Sequence, residues 1–348
     1  MGKKSLGLLL LSALLVLATA CGGATEEKDA GGKNEDAFSA GLVTDVGGIN
    51  DESFNQIAWA GLENLEKDIG AKVSYLESKR DSDYVPNLTK FVRDNTDITW
   101  GIGFKFEKAL PEVAKRFPDA KLGIVDSDLG GDIPENVSAV LFKEEEGSFL
   151  LGVIAAKMTK TKQVGFIGGI SSPVIKRFES GFRAGVHAVD PDIKVVVAYA
   201  ESFTDVAKGR SLAKNMYDGG ADIIYHAAGG VGKGLFSEVK TREQGKYWAM
   251  GVDMDQSSLA PDHTLTSMIK RVDVAVYDIS KRLKNGDWQG GKVINLGLKE
   301  NGVGIADNTD KHVPKEILDE VEKYKQEIID GKIKVPGTEA ELKEFLEK

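Results

Sequence analysis

The stretch LVTDVGGINDESFNQ, residues 42–56, combines residue types that can bind a polar, planar molecule. Asp45 ends an apolar run, two glycines and a polar turn follow, and Phe54 and Asn55 come next. A carboxylate accepts hydrogen bonds from hydroxyl groups, an amide both donates and accepts, and an aromatic ring stacks on a planar ligand. The stretch therefore predicts one part of a ligand-binding site.

Other predicted strand ends carry similar residue types. Asp126 follows AKLGIV, Asp253 follows KYWAMGV, and Lys270 ends TLTSMIK. Asp45, Asn55 and Asp253 form a set of partners for hydroxyl groups, and Lys270 can donate to the same groups. The alternative for each carboxylate is the N-cap of a helix, a position that Asp commonly occupies. A ring for a planar base and carboxylates for a diol together indicate a nucleoside.

A second aromatic surface is expected at the end of the predicted strand ADIIYH. Tyr225 and His226 are the two candidates, because successive side chains alternate across a strand, and a core position for Tyr225 is the alternative. The loop AAGGVGKG follows, and its Gly229 allows a ligand to approach the backbone closely. The loop is not a Walker A sequence, because Gly234 stands where Ser or Thr should follow Lys233.

These residues must be positioned by alternating strands and helices. From residue 38 onward, apolar runs such as AKVSYLES alternate with segments of helical periodicity such as NQIAWAGLENLEKDIG, and the order restarts at GSFLLGVIAAKMT. Repeated β-α-β order predicts an α/β fold of doubly wound parallel sheets, with ligands beyond the carboxyl ends of the strands. Two similar units indicate two lobes around a cleft. The charge run FKEEEGSF is expected to open a helix, where Glu interacts favourably with the helix dipole.

Composition narrows the classes of function. The chain has 348 residues and a formal net charge of −9, so it lacks the basic surface that nucleic acid requires. Its four histidines are scattered without metal-ligand spacing, and neither G-x-S-x-G nor H-E-x-x-H occurs. We expect no enzyme, no cofactor and no metal, although Asp126 and Asp253 form an acid–base pair if they lie close together.

The amino-terminal residues have the pattern of an export signal. Lys3 and Lys4 precede the apolar run LGLLLLSALLVLATA, and the only cysteine, Cys21, follows it. LATAC resembles a bacterial lipobox, so we predict a signal peptide over residues 1–20 and a Cys21 lipidated with palmitate; an ordinary cleaved signal peptide is the alternative. Residues 21–37 have little to bury and predict a disordered tether, which holds the body at the extracytoplasmic face of the cell membrane.

Six ordered blocks resemble the basic membrane protein family of bacterial lipoproteins, namely DVGGINDESFNQ, WGIGF, EEEGSFLLG, AAGGVGKG, GVDMDQ and TSMIKRVD. The resemblance covers the whole body and implies a substrate-binding protein of an ABC importer that is similar to purine nucleoside receptors. It implies a type I periplasmic-binding-protein fold, with lobes joined by hinge crossings. The lobes correspond to residues 38–143 with about 269–293, and to residues 144–268 with about 294–348.

The resemblance also implies roles for individual residues. In the family the purine stacks between two rings, of which one falls on Phe54 and the other on Tyr225 or His226. The positions of polar contacts to the ribose or the base edge fall on Asp45, Asn55, Asp126, Asp253 and Lys270.

The partners implied are a purine nucleoside such as guanosine, inosine or adenosine, an ABC permease in the membrane and the lipid on Cys21. We expect a monomer. Three alternatives remain open at this point: a binding lipoprotein for a sugar or other small polar solute, an extracellular enzyme such as a nucleoside hydrolase, and a surface adhesin or signalling receptor of the same fold.

Overall fold

Strands and helices alternate along the chain as the sequence pattern predicts. A computed structural model describes residues 37–348, which form one compact unit of twelve strands and ten α-helices. The predicted signal peptide, Cys21 and the tether up to residue 36 lie outside the described residues. None of the helices within residues 37–348 is both long and apolar enough to cross a membrane.

The bounds of these elements are as follows. The strands are β1 (Ser39–Thr44), β2 (Lys72–Glu77), β3 (Ile98–Ile102), β4 (Leu122–Val125), β5 (Val137–Phe142), β6 (Gln163–Gly168), β7 (Lys194–Tyr199), β8 (Ile223–Ala227), β9 (Trp248–Asp253), β10 (Thr264–Lys270), β11 (Lys292–Leu296) and β12 (Val303–Ile305). The helices are α1 (Phe54–Ile69), α2 (Tyr84–Arg93), α3 (Ala109–Arg116), α4 (Glu144–Met158), α5 (Pro173–Val189), α6 (Val206–Asp218), α7 (Gly232–Val239), α8 (Val272–Lys284), α9 (Lys315–Ile329) and α10 (Glu339–Leu346).

The strands of residues 37–348 form two six-stranded sheets. The first has the order β11-β5-β4-β3-β1-β2, and all its neighbouring strands are parallel. The second has the order β12-β10-β9-β8-β6-β7 and is parallel except for the pair β10–β12. Helices pack on both faces of each sheet, so strands such as β3 are buried along their whole length. The predicted α/β fold with parallel sheets is confirmed.

The chain passes between the two sheets three times within the described residues. It leaves the first sheet after β5, returns to it after β10, and leaves it again between β11 and β12. Because residues 37–348 form one compact unit, the lobe boundaries given above stay a prediction.

Six elements were not predicted from the sequence, namely β5, α7, β11, β12, α9 and α10. For β5 the reason is local, since a single residue, Lys143, separates its end from the start of α4. Signals that were identified operate as expected: Gly70 ends α1 in the left-handed conformation, with φ 67°, and donates its N–H to Glu66 O.

Helices α4 and α5 pack at very short range because glycines occupy their contact. A Cβ atom on Gly185 would lie 2.1 Å from Phe149 O, so only glycine allows this approach. This packing supports α4 and α5, whose first turns are both close to the site described below.

The replacement Gly185→Ala should lower the free energy of unfolding by about 1–3 kcal/mol, because an added methyl group must separate two packed helices. Urea denaturation of the purified protein measures this. Gly304→Ala is the matched control, since a Cβ there meets no atom within 4 Å, and it should change stability by less than about 0.5 kcal/mol. Equal stability of the two variants would contradict the close packing.

Candidate functional site

A cleft lies where the carboxyl ends of strands from both sheets meet. Its cavity volume is about 60 Å³, so the cleft is narrow in this structure. The segments that follow β1, β3 and β4 line it from the first sheet, and the ends of β8 and β9 line it from the second. Six of the nine predicted residues line this cleft: Asp45, Phe54, Asn55, Asp126, Gly229 and Asp253.

Two aromatic rings from different sheets line the same cleft. Phe54 is the first residue of α1, and Phe203 lies in the loop after β7. Each ring ends a Glu-Ser-Phe tripeptide, and Glu52 and Glu201 share a left-handed backbone, with φ 56° and 54°. Phe104 meets the ring of Phe203 at 6.3 Å between centroids, in an edge-on arrangement. Sequence analysis missed Phe203, although the repeated tripeptide was a usable signal.

The two rings expected from β8 do not line the cleft. Tyr225 is fully buried, and its hydroxyl lies 3.1 Å from Ser148 Oγ. His226 is also fully buried, and its Nε2 lies 2.9 Å from Gln256 Oε1. Helices cover both faces of this central strand, so alternating side chains both enter cores, and the cleft begins only beyond the strand's end. The geometry therefore favours Phe203 over Tyr225 and His226 as the second ring.

A buried lysine connects the two sheets beside the cleft. Lys270 Nζ lies 2.7 Å from both carboxylate oxygens of Asp126 and 2.8 Å from Glu144 Oε1. Its nitrogen is also 5.0 Å from the centroid of the Phe54 ring, at cation–π distance. Burial lowers the pKa of Lys270, but Asp126 and Glu144 more than offset this and raise it overall, so the ammonium group stays charged.

Glu144 is a component of this site that the sequence analysis missed. The acidic run opens α4 as predicted, but Glu144 is fully buried and binds both Lys270 and the guanidinium of Arg177, at 2.5 Å from Nε. Burial acts to raise the pKa of Glu144, yet Lys270 and Arg177 lower it overall. Burial raises the pKa of Asp126, and Lys270 opposes this rise. No local sequence signal connects residues so far apart in the chain.

Acceptor groups are concentrated at the start of α1. Asp45 Oδ1 accepts hydrogen bonds from Gly47 N and Asn55 Nδ2, both at 2.9 Å. Asp51 accepts from the backbone N–H groups of Ser53, Asn55 and Gln56 and so holds the first turn of the helix. Burial raises the pKa of Asp45, and it raises that of Asp51 to about 6.

One acceptor atom at this position remains unpaired. Asn55 Oδ1 is buried and has no hydrogen-bond partner within residues 37–348. Buried polar atoms are normally hydrogen-bonded, so a ligand that presents donors would satisfy it.

Asp253 ends β9 and contacts the first sheet. Its Oδ2 accepts a hydrogen bond from Ser53 Oγ, and burial raises its pKa to about 7. Asp253 and Asp126 both have left-handed backbones, with φ 67° and 66°. This conformation is uncommon outside glycine and is strained, and such residues cluster at binding sites.

Comparison with known sequences gives consistent matches. The family model Bmp, described as ABC transporter substrate-binding protein PnrA-like, matches residues 38–339. A Listeria innocua protein called CD4+ T-cell-stimulating antigen is 42% identical over 352 residues, which cover 95% of this chain and 98% of that protein. The Lactococcus lactis protein called ABC transporter nucleoside-binding protein BmpA is 42% identical over 327 residues, with coverage of 88% and 91%.

Comparison with solved structures supports the same fold. A solute-binding protein of an ABC transporter system from Aeropyrum pernix K1 superposes with a TM-score of 0.80 and 27% identity, over 89% of this chain and 99% of that one. A second such protein, from Conexibacter woesei, has a TM-score of 0.71 at 22% identity, over 86% and 99%. The predicted periplasmic-binding-protein type of fold is confirmed.

The replacement Lys270→Met should lower the free energy of unfolding by about 3–5 kcal/mol, because two buried carboxylates lose their shared cation. Lys157→Met is the matched control, since Lys157 pairs with Glu320 at a partly exposed position and should contribute about 1 kcal/mol or less. Denaturant titration at neutral pH measures both variants. Similar decreases in the free energy of unfolding for the two variants would show that the buried ion pairs of Lys270 stabilise the fold no more than a partly exposed one.

The pH dependence of stability should report on Asp253. Its pKa in the folded protein is about 7, whereas an unfolded Asp titrates near about 4, so between these pH values only the folded state binds this proton. The contribution of Asp253 to the free energy of unfolding therefore decreases as pH rises from about 4 to about 7.

Replacement Asp253→Asn should remove this decrease and flatten the stability profile relative to the original protein. Thermal and denaturant unfolding from pH 4 to 8 measure it. The exposed Asp119→Asn is the control and should leave the profile unchanged. Parallel profiles for the original protein and Asp253→Asn would contradict the raised pKa.

Proposed function

Because the chain belongs to the Bmp family, whose members are PnrA-like substrate-binding proteins of ABC transporters, we propose that its substrate is a purine nucleoside. Guanosine, inosine and adenosine are the expected ligands, bound in the cleft between the two sheets. Family and fold are those of solute-binding proteins rather than enzymes. The relative from Lactococcus lactis is named as nucleoside-binding, which supports the proposal.

The observation that carries the proposal is the pairing of rings with carboxylates in one cleft. Phe54 and Phe203 line it from different sheets, so a planar base can stack between them. The left-handed Gly229, with φ 54°, allows the ligand to approach the backbone of the second sheet.

The carboxylates suit the sugar of a nucleoside. Asp45 and Asp253 line the cleft and can each accept a hydrogen bond from a ribose hydroxyl. Asn55 Oδ1 accepts one further donor. Asp126 faces the base edge in this proposal, and Lys270 holds it there through the contacts at 2.7 Å.

The remaining proposals concern the whole protein. The two sheets with their helices form two lobes that close on the nucleoside, and the closed form delivers it to an ABC permease. Lipidation of Cys21 and a tether over residues 21–37 hold the body, as a monomer, at the extracytoplasmic face of the membrane. These two features lie outside the described residues, apart from Ala37.

Calorimetry tests the ligand class. The chain lacking residues 1–21 is unfolded and refolded to remove any retained ligand, and then titrated with guanosine, inosine, adenosine, cytidine and ribose. Purine nucleosides should bind tightly and free ribose weakly. Binding of ribose alone would favour a sugar receptor, and release of hypoxanthine from inosine would favour a hydrolase.

Replacements at the rings test the site. Phe54→Ala and Phe203→Ala should each weaken purine-nucleoside binding by roughly 10- to 100-fold, since stacking on one ring contributes about 1–3 kcal/mol per base. Phe345→Ala is the matched control, because this half-buried ring packs on Phe149 away from the cleft. Affinities equal to that of the original protein in both cleft variants would overturn the assignment of the rings.

A further inference from the structure

The loop between β1 and α1, residues 45–53, is held by side chains of α7, the end of β9 and the segment after β9, all on the side of the second sheet. Lys233 Nζ donates to Asn50 O at 3.0 Å, and Gln256 Nε2 donates to Glu52 O at 2.7 Å. The Ser53 hydroxyl donates to Asp253, as described above. This β1–α1 loop leads directly into the first turn of α1, which carries Phe54 and Asn55. Any constraint on the loop is therefore a constraint on the cleft.

Gln256 is more buried than Lys233 and Asp253, and its amide has a fixed orientation. Only 2% of the residue is exposed. Its Oε1 accepts the backbone N–H of Val252 at 2.9 Å, which identifies that atom as the oxygen. The amide nitrogen must then face Glu52 O. The backbone N–H of Gln256 donates to Ser267 Oγ at 3.1 Å and fixes the position of the residue.

His226 completes the orientation of this amide. Its Nε2 lies 2.9 Å from Gln256 Oε1, and because that oxygen only accepts, Nε2 carries the proton. Burial lowers the pKa of His226 to about 4, so the ring is neutral at physiological pH. Two glycines make room for the pair: a Cβ on Gly232 would lie 2.0 Å from the His226 ring, and one on Gly251 would lie 2.7 Å from Gln256 Oε1.

The accepting carbonyl belongs to a residue with strained backbone. Glu52 has φ 56°, a left-handed conformation that non-glycine residues rarely adopt. Such a conformation persists where surrounding contacts hold it in place. The bond from Gln256 is one such contact, and it acts two residues before Phe54.

We propose that Gln256, oriented by His226, is a positioning residue for ligand binding. Its hydrogen bond to Glu52 O holds the β1–α1 loop closed over the cleft and limits the rate of ligand release. His226 therefore acts through Gln256 and does not contact the ligand as a stacking ring. The part of this inference that concerns ligand release rests on the proposed function. The part that concerns the loop does not depend on which solute the cleft binds.

The variant Gln256→Glu tests the hydrogen bond to Glu52 O most directly. A carboxylate keeps an acceptor for Val252 and His226 but cannot donate to Glu52 O. Gln256→Ala removes the whole network. Lys233→Met is a third variant, which removes the partly exposed contact to Asn50 and leaves the buried network intact. The matched control is Gln163→Ala, because Gln163 Nε2 donates to Gly219 O at 2.8 Å in the same sheet but far from the loop.

Two measurements are made on the full chain in detergent. Stopped-flow release of inosine should be about tenfold faster in Gln256→Glu and Gln256→Ala, with the association rate unchanged within about twofold. Amide hydrogen exchange of residues 46–54 without ligand should be about tenfold faster in both Gln256 variants than in the original protein. In Lys233→Met the exchange rate of the same residues should rise by a smaller factor. Gln163→Ala should match the original protein in both measurements.

Unchanged exchange in residues 46–54 of both Gln256 variants would overturn the proposal. Exchange that rises equally throughout β8, β9 and β10 would also overturn it, because Gln256 would then serve only the stability of its own sheet. If the original protein binds none of inosine, guanosine and adenosine, the proposed function fails. Hydrogen exchange still decides whether the bond from Gln256 to Glu52 O holds the loop.

Discussion

The buried ammonium group of Lys270 is the interaction on which the arrangement of the cleft depends. It lies between Asp126, which follows a strand of the first sheet, and Glu144, which opens a helix packed on the second. A buried charge is costly without a partner, and here the two partners come from different sheets. The sheets must therefore stay close together at this point. The lysine satisfies this requirement from the last residue of β10, immediately before the chain returns to the first sheet.

Burial of carboxylates in the cleft is consistent with the proposed ligand, which is neutral and rich in hydrogen-bond donors. Asp45, Asp51 and Asp253 are buried, and burial raises the pKa of each. A further negative charge would be unfavourable beside them, whereas hydroxyl and N–H groups can add hydrogen bonds to those the carboxylates already accept. The aromatic rings provide apolar surface and no charge. A nucleoside combines both properties, because its base is planar and its sugar carries hydroxyl groups.

The sequence was sufficient to predict the α/β order and the residues that follow strands, because hydrophobic periodicity and chain direction determine both. Asp45, Asp126 and Asp253 meet in the cleft for this reason. The alternation of side chains along β8 could not predict which residue faces the ligand, because helices cover both faces of that strand and His226 is buried under one of them. The pairing of Glu144 with Lys270 joins residues distant in the chain, which periodicity does not report. Phe203 was accessible in principle through the repeated Glu-Ser-Phe tripeptide.

The three passages of the chain between the sheets have a consequence for the order of folding. Trp100 in β3 is fully buried, and its indole N–H donates to Ser280 Oγ of α8 at 3.0 Å. The last strand of the first sheet, β11, follows that helix. A chain that emerges from the ribosome amino end first therefore cannot form this contact of the tryptophan before residue 280 has been made, or complete its first sheet before residue 296 of 348 has been made. Such late contacts between distant segments slow folding, so the first sheet stays incomplete during most of synthesis.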